Sequence, residues 1–259
     1  MQKNFGVEGE IFNRTERLVG QEAMARLRQA RVLLFGVGGV GSWAAEGLVR
    51  SGVGHLMLVD ADRVSVSNIN RQLMATTLTV GQPKVEALRQ RLLAINPQAD
   101  IVARQELYCR DTAASFPLAD YHYIVDAIDS LSAKMELIVN ATDRSLGIDG
   151  WRPVLLSSMG AALKMDPTAI RVSEFWEVDG CPLAAALRRK MRRTKRFPGR
   201  KFRCVWSPEV RDNCGSSPSE TEEASPFHRA SINGSVVHIT AIMGLTLAGL
   251  IVKQITDSK

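Results

Sequence analysis

Gly36, Gly38, Gly39 and Gly41 form a turn directly after the apolar run Val32 to Phe35. An acid, Asp60, ends the next apolar run, Leu56 to Val59. The G-x-G-x-x-G spacing with an acid about 20 residues on is the pattern of a nucleotide site. Its glycines let phosphate approach the backbone, and the following helix start offers unpaired N–H groups and a positive dipole end. Asp60 is then placed to accept hydrogen bonds from ribose hydroxyls. The pattern alone leaves a redox cofactor and ATP open, and the next residues decide. Asp62, Ser67, Asn68, Asn70, Arg71 and Gln72 lead into Gly81-Gln82-Pro83-Lys84. Hydride transfer has no need of an arginine and a lysine just past the ribose acid, whereas neutralising a triphosphate does. The reading is ATP.

The elements that must position these residues follow from periodicity. A first strand runs from Arg31 to Phe35, a helix from about Val40 to Ser51, and a second strand from His55 to Val59. Residues 60–81 are polar and irregular, as a ligand loop is. A helix from Pro83 to Ile95 carries Val85, Leu88, Leu92 and Ile95 on one face. Strands at Ile101–Ala103 and Tyr123–Val125 follow, the latter entering Asp126-Ala127-Ile128-Asp129. Ligands of open α/β sheets sit beyond the carboxyl ends of the strands, so Asp126, Ile128 and Asp129 are also candidates for the nucleotide site. A helix at Leu131–Leu146 and a strand at Val154–Ser157 complete a doubly wound half. Beyond it, Leu163 and Ile170–Val172 read as short strands, Pro182–Arg193 as a basic helix, Phe202–Trp206 as a strand and Ser235–Ile255 as an apolar final helix. The expected fold class is α/β, a doubly wound, Rossmann-like, mostly parallel sheet with an extended C-terminal part. Residues 1–30 form an arm and short helix, 31–160 the ATP-binding half and 161–259 the C-terminal half of one domain. A flexible crossover loop covers 207–229.

The 259 residues carry a net charge of +6 and 45% hydrophobic residues, enough for a sizeable core. The positive balance permits an anionic partner without naming one. Met1–Glu10 lacks the apolar core of a signal peptide. The four cysteines, Cys109, Cys181, Cys204 and Cys214, make no C-x-x-C pair, so no structural zinc is expected and free thiols in a cytoplasmic setting are. Ten cations, Arg188, Arg189, Lys190, Arg192, Arg193, Lys195, Arg196, Arg200, Lys201 and Arg203, lie in one short span with Phe197 and Phe202 among them. That exceeds what solubility needs and points to a phosphate backbone. Residues 236–252 are apolar, but His238, Thr240, Thr246 and glycines interrupt them. A helix in the core or a dimer interface is the favoured reading, and membrane contact the lesser one.

With Asn13-Arg14, Gly36–Gly41, Asp60-Ala61-Asp62, Ser67–Gln72, Val80–Glu86, Ile95-Asn96-Pro97 and Asp126–Asp129 in order, the chain resembles the ubiquitin-activating-like adenylating family. In the second half, Asp166-Pro167-Thr168, Pro182–Ala185, the basic helix, Cys204–Ser207 and Gly234-Ser235 resemble the branch that acts on threonylcarbamoyladenosine in tRNA. The resemblance implies that Arg71 and Lys84 bind phosphates and that Asp129 holds Mg²⁺ beside the α-phosphate. It implies that Arg14 reaches the partner subunit's site in a homodimer. It further implies that ATP adenylates the threonylcarbamoyl carboxylate, which then cyclises. The alternative is adenylation of a ubiquitin-like sulfur carrier's C-terminus. A sulfur-relay protein is a further partner by the same resemblance, and Cys214 reads as an ordinary thiol.

Overall fold

The computed structural model describes residues 8–147, 152–215 and 233–258. Residues 1–7 of the expected arm and 216–229 of the expected loop, His228 included, lie outside them. Eight helices are described: α1 (Glu8–Ile11), α2 (Asn13–Val19), α3 (Gln21–Gln29), α4 (Gly39–Arg50), α5 (Lys84–Ile95), α6 (Leu131–Ala141), α7 (Pro182–Thr194) and α8 (Val237–Asp257). The strands are β1 (Arg31–Phe35), β2 (His55–Val59), β3 (Asp100–Arg104), β4 (Tyr123–Asp126), β5 (Val154–Ser158), β6 (Arg171–Glu174) and β7 (Arg203–Trp206).

They form one sheet in the order β3-β2-β1-β4-β5-β7-β6. Every pair is parallel except β6 against β7. The central strands read as continuous apolar runs because both faces are covered. Leu33, Phe35 and Ile124 enter one core cluster, Val32, Leu34 and Val125 the other. The chain reverses direction across the sheet between β1 and β4. The crevice beyond their carboxyl ends is therefore the topological switch point, where open α/β sheets bind ligands.

One face of the final helix is packed into the core. Ile239, Met243, Leu247, Ile251 and Ile255 are buried at helical spacing, although α8 is long and apolar enough to cross a membrane. Glycines set how closely it meets α4. A Cβ at Gly244 would stand 2.3 Å from the Val40 carbonyl oxygen, and one at Gly47 2.8 Å from the Ala248 Cβ.

The described part of the arm is helical and is anchored through Phe12, buried in the core against the Gly52 turn. Two expectations are corrected. Leu163 lies in a loop at φ 59°, its N–H donating to Gly234 O, and belongs to no strand. The helix from Leu131 ends at Ala141, five residues short of the expectation. There the Thr142 hydroxyl back-bonds to Ile138 O at 2.6 Å, and an Asp143–Ser145 turn follows.

Candidate active site

The turn between β1 and α4 builds the floor of the site. Gly36 has φ +84°, and a Cβ there would meet the Ala127 carbonyl oxygen at 2.6 Å. A Cβ at Gly41 would meet Gly36 O at 1.8 Å. These two glycines let the turn pack against the β4–α6 loop and against itself. Gly38 differs, because a Cβ there would meet only Gln72 Nε2, at 3.8 Å, and the space in front of it is open. Gly38 is also the N-cap of α4 and brings no side chain to cap the first N–H groups. Unpaired donors at a twelve-residue helix's positive end make an anion site.

Asp60, just past β2, fastens this turn. Its Oδ2 accepts the Val37 N–H and its Oδ1 the Asp62 N–H, both at 2.9 Å. Burial pushes its carboxyl up; Lys84 nearby and the two N–H bonds pull the other way. A carboxylate has about four lone-pair sites, so two remain for ribose hydroxyls.

The cations come from the loop after β2 and the start of α5. Lys84 is buried at the first position of α5 and donates to Asp62 Oδ2 at 2.8 Å. Arg71 lies over the start of α4, its Cγ 3.5 Å from where a Gly39 Cβ would stand. Three bonds hold its segment there. Trp43 Nε1 donates to Arg71 O at 3.2 Å, Leu73 N to Ser42 Oγ at 3.2 Å, and Asn70 Nδ2 to Ser235 O, just before α8, at 3.0 Å. The Arg71 guanidinium donates to Ser67 O and Asn70 Oδ1. Burial draws its pKa down while Asp129, across the crevice, raises it. Arg71, Lys84, Asp129 and the α4 N-terminus thus border one crevice. Gln72 is buried beside Gly38, and its Oε1 has no hydrogen-bond partner among the described residues.

Three candidate assignments change. Asp126 is fully buried, ion-paired to Lys134 at 2.8 Å and bonded by the Ser157 hydroxyl at 2.6 Å. Its other oxygen accepts the Ile128 N–H, and Lys134 also donates to Ile128 O. Asp126 and Ile128 therefore shape the loop that carries Asp129, the Asp126 oxygens being taken by Lys134, Ser157 and the Ile128 N–H. Asn68 is buried in a capping box in which its side-chain oxygen accepts the Ser65 N–H at 3.1 Å. In the basic span, four cations are engaged inside the fold. Arg188 donates to Val178 O and Phe175 O, Lys190 to Ser132 Oγ, Arg196 pairs in two-pronged fashion with Glu136, and Arg200 donates to Ala141 O, Thr142 O and Pro153 O. Cys214 is exposed, with its thiol near Asp212 O.

Sequence reasoning missed Lys134, Ser42, Trp43 and the approach of α8. Lys134 left a signal: it stands between Leu131 and Ile138 on the apolar stripe of α6, where a cation demands a buried partner.

A family model described as the ThiF family matches residues 12–259. The tRNA threonylcarbamoyladenosine dehydratase of Bacillus subtilis is 40% identical over 182 residues, 70% of this chain and 69% of that one. The protein of the same name from Haemophilus influenzae is 30% identical over 96% of this chain and 94% of its own length. The ATP complex of Escherichia coli tRNA N6-threonylcarbamoyladenosine dehydratase superposes with a TM-score of 0.80 at 30% identity, covering 95% of this chain and 94% of that one. The match runs from Phe12 through the last helix and takes in the glycine turn, the cation pair and the switch-point acid alike: the chain belongs to the ThiF family.

Proposed function

We propose that this chain uses ATP to adenylate the carboxylate of threonylcarbamoyladenosine in tRNA and then closes that group into a ring. The observation that carries the reading is the convergence of the uncapped α4 N-terminus, Arg71, Lys84 and Asp129 on the switch-point crevice. The similarity to dehydratases over nearly the whole chain supplies the substrate class.

The Gly38–Gly39 turn and Asp60 hold the nucleotide. A carboxylate oxygen of the substrate bonds to the α-phosphorus as the bond to pyrophosphate breaks. Arg71 and Lys84 offset the charge that develops there. A nucleophilic atom of the carbamoyl group then bonds to the acyl carbon. AMP leaves with the former carboxylate oxygen, and the carbamoyl proton goes to solvent. The ring closure is intramolecular and entropically favoured, so no protein nucleophile is required. The nucleoside loses one water as ATP becomes AMP and pyrophosphate.

Asp129 fits a Mg²⁺ ion. It is exposed at the mouth of the crevice, and Mg²⁺ is commonly held by one or two carboxylates with phosphate oxygens completing its shell. The ion would supply Lewis-acid stabilisation of phosphate charge. Among the described residues no group of three His, Cys, Asp or Glu side chains is gathered to hold a metal without a nucleotide.

Arg14 is exposed on α2; in this reading it completes the site of a second copy in a homodimer. Pyrophosphate exchange tests the substrate assignment. Exchange is expected with ATP and tRNA bearing threonylcarbamoyladenosine. Exchange with a ubiquitin-like carrier protein alone would replace the reading with carrier adenylation.

A further inference from the structure

Six of the ten cations in the basic span are exposed and take no internal partner among the described residues: Arg189, Arg192, Arg193, Lys195, Lys201 and Arg203. Their places are fixed by the four that do. Lys190 donates to Ser132 in the first turn of α6, three residues after Asp129. Arg196 is clamped to Glu136 midway along that helix. Gly199 N donates to Thr142 Oγ1 and Arg200 to Ala141 O, at the helix's far end. The basic segment therefore descends alongside α6 from the nucleotide end of the sheet to the amino ends of its strands. Eleven residues of α6 span roughly 16 Å.

Arg189, Arg192 and Arg193 share one face of α7 at i, i+3, i+4 spacing, opposite the buried Ala184, Leu187 and Met191. Lys201 and Arg203, with Arg200, line a cavity of about 210 Å³ at the lower end, between the last residues of α6 and the start of β5. Glu174, the register partner of Arg203 on β6, accepts the Trp176 N–H with its carboxylate. The six charges thus lie along one descending line that begins beside the crevice.

We propose that this line is a track for the phosphodiester backbone of a tRNA stem. The modified base reaches the crevice at the upper end while the helix attached to it runs down α7 to the cavity. The proposal rests on the tRNA reading above. A base-paired stem fits better than a single strand, because an A-form helix is recognised through its backbone and shape, and its rigidity keeps phosphates in reach over the whole length. The track also divides labour. The upper trio, Arg189, Arg192 and Arg193, serves any RNA that reaches the site, and the lower trio, Lys195, Lys201 and Arg203, serves only RNA with a stem long enough to arrive there.

The test measures binding of three RNAs, all carrying threonylcarbamoyladenosine, across a salt series: whole tRNA, an anticodon stem-loop, and a loop fragment without the stem. The proteins are wild type, R189Q/R192Q/R193Q and K195Q/K201Q/R203Q, with ATP binding as the check on folding. Both triple variants are expected to bind whole tRNA at least tenfold more weakly. Each is expected to lose about 0.7–0.9 of salt slope per lost contact. The lower-trio variant is expected to bind the loop fragment as wild type does. Unchanged whole-tRNA affinity and slope in both variants would overturn the track. So would equal losses on whole tRNA and loop fragment in the lower-trio variant. If wild type itself neither binds nor converts the modified tRNA, the substrate reading has failed instead.

Discussion

The ammonium of Lys84 stands 2.8 Å from the carboxylate of Asp62, the lysine side chain 8% exposed and the acid 69%. The buried partner is held by the first turn of α5, and the open one is replaceable. Incoming phosphate oxygens can take the place of Asp62 without moving the lysine. Lys84→Ala is therefore expected to lower ATP–pyrophosphate exchange by about 10²–10³-fold, the usual effect of deleting one donor to a developing charge. Its stability should fall as well, by about 1–3 kcal/mol, because the buried stem leaves a gap and the buried Asp60 carboxylate loses a nearby cation. A variant with near-normal exchange would remove Lys84 from the chemistry.

Arg71 makes two donor contacts to its own loop while facing Asp129. Both bonds come from Nη1, which leaves Nε and Nη2 for the crevice, and a lysine's single nitrogen cannot serve the loop and the crevice at once. Arg71→Lys is expected to lose at least tenfold in kcat/KM for adenylation although the charge is kept, and single-turnover measurement of AMP formation reads this directly.

The four turn glycines should separate into two kinds. Gly41→Ala drives a Cβ to 1.8 Å from a backbone oxygen, and a loss of more than about 3 kcal/mol or insoluble protein is expected. Gly38→Ala meets nothing closer than 3.8 Å. It should fold with a melting temperature near wild type and bind ATP at least tenfold more weakly, as calorimetry would record.

Lys134 and Asp126 form a wholly buried ion pair. Lys134→Met leaves a carboxylate buried without its countercharge and is expected to cost about 3–5 kcal/mol in denaturant titration. The double change with Asp126→Asn should recover part of that, because no charge is then left unpaired.

Glu136 gives a pH signature. The Arg196 hydrogen bonds, outweighing burial, hold its carboxyl below the usual carboxylate range. Its contribution is therefore present above the unfolded-state pKa and lost as pH falls through the folded one. Glu136→Gln is expected to cost about 1 kcal/mol at pH 7. The gap to wild type should narrow as pH falls through the ordinary carboxylate range and close once the pH is below the lowered folded pKa, where both carry a neutral side chain.

Local patterning made much of this molecule legible from its residues. The strands at Arg31–Phe35 and His55–Val59 and the helix that ends at Ile95 fall where periodicity puts them, because each is specified by its own stretch of chain. Several misplaced assignments depend on partners far along it, while Asn68 and the early end of α6 were decided by neighbours three and four residues away. Asp126 looked like a ligand until Ser157, 31 residues on, and Lys134 turned out to close around it. Arg196 looked free until Glu136, 60 residues earlier, paired with it. Phe12 reads as an apolar residue of the arm, and only the fold brings Gly52 beneath it. Residue type states what a side chain can do, and burial decides whether it is at liberty to do it.

The last helix has a bearing on synthesis. Thr240 and Ser235 meet residues at the opposite end of the chain's order, the Thr240 methyl 3.0 Å from where a Gly39 Cβ would stand and Ser235 O holding Asn70. The nucleotide crevice is thus closed by residues that lie 165 positions after Asn70 in the chain. A product cut short ahead of residue 235 is left without the wall that keeps Asn70 and Arg71 in line.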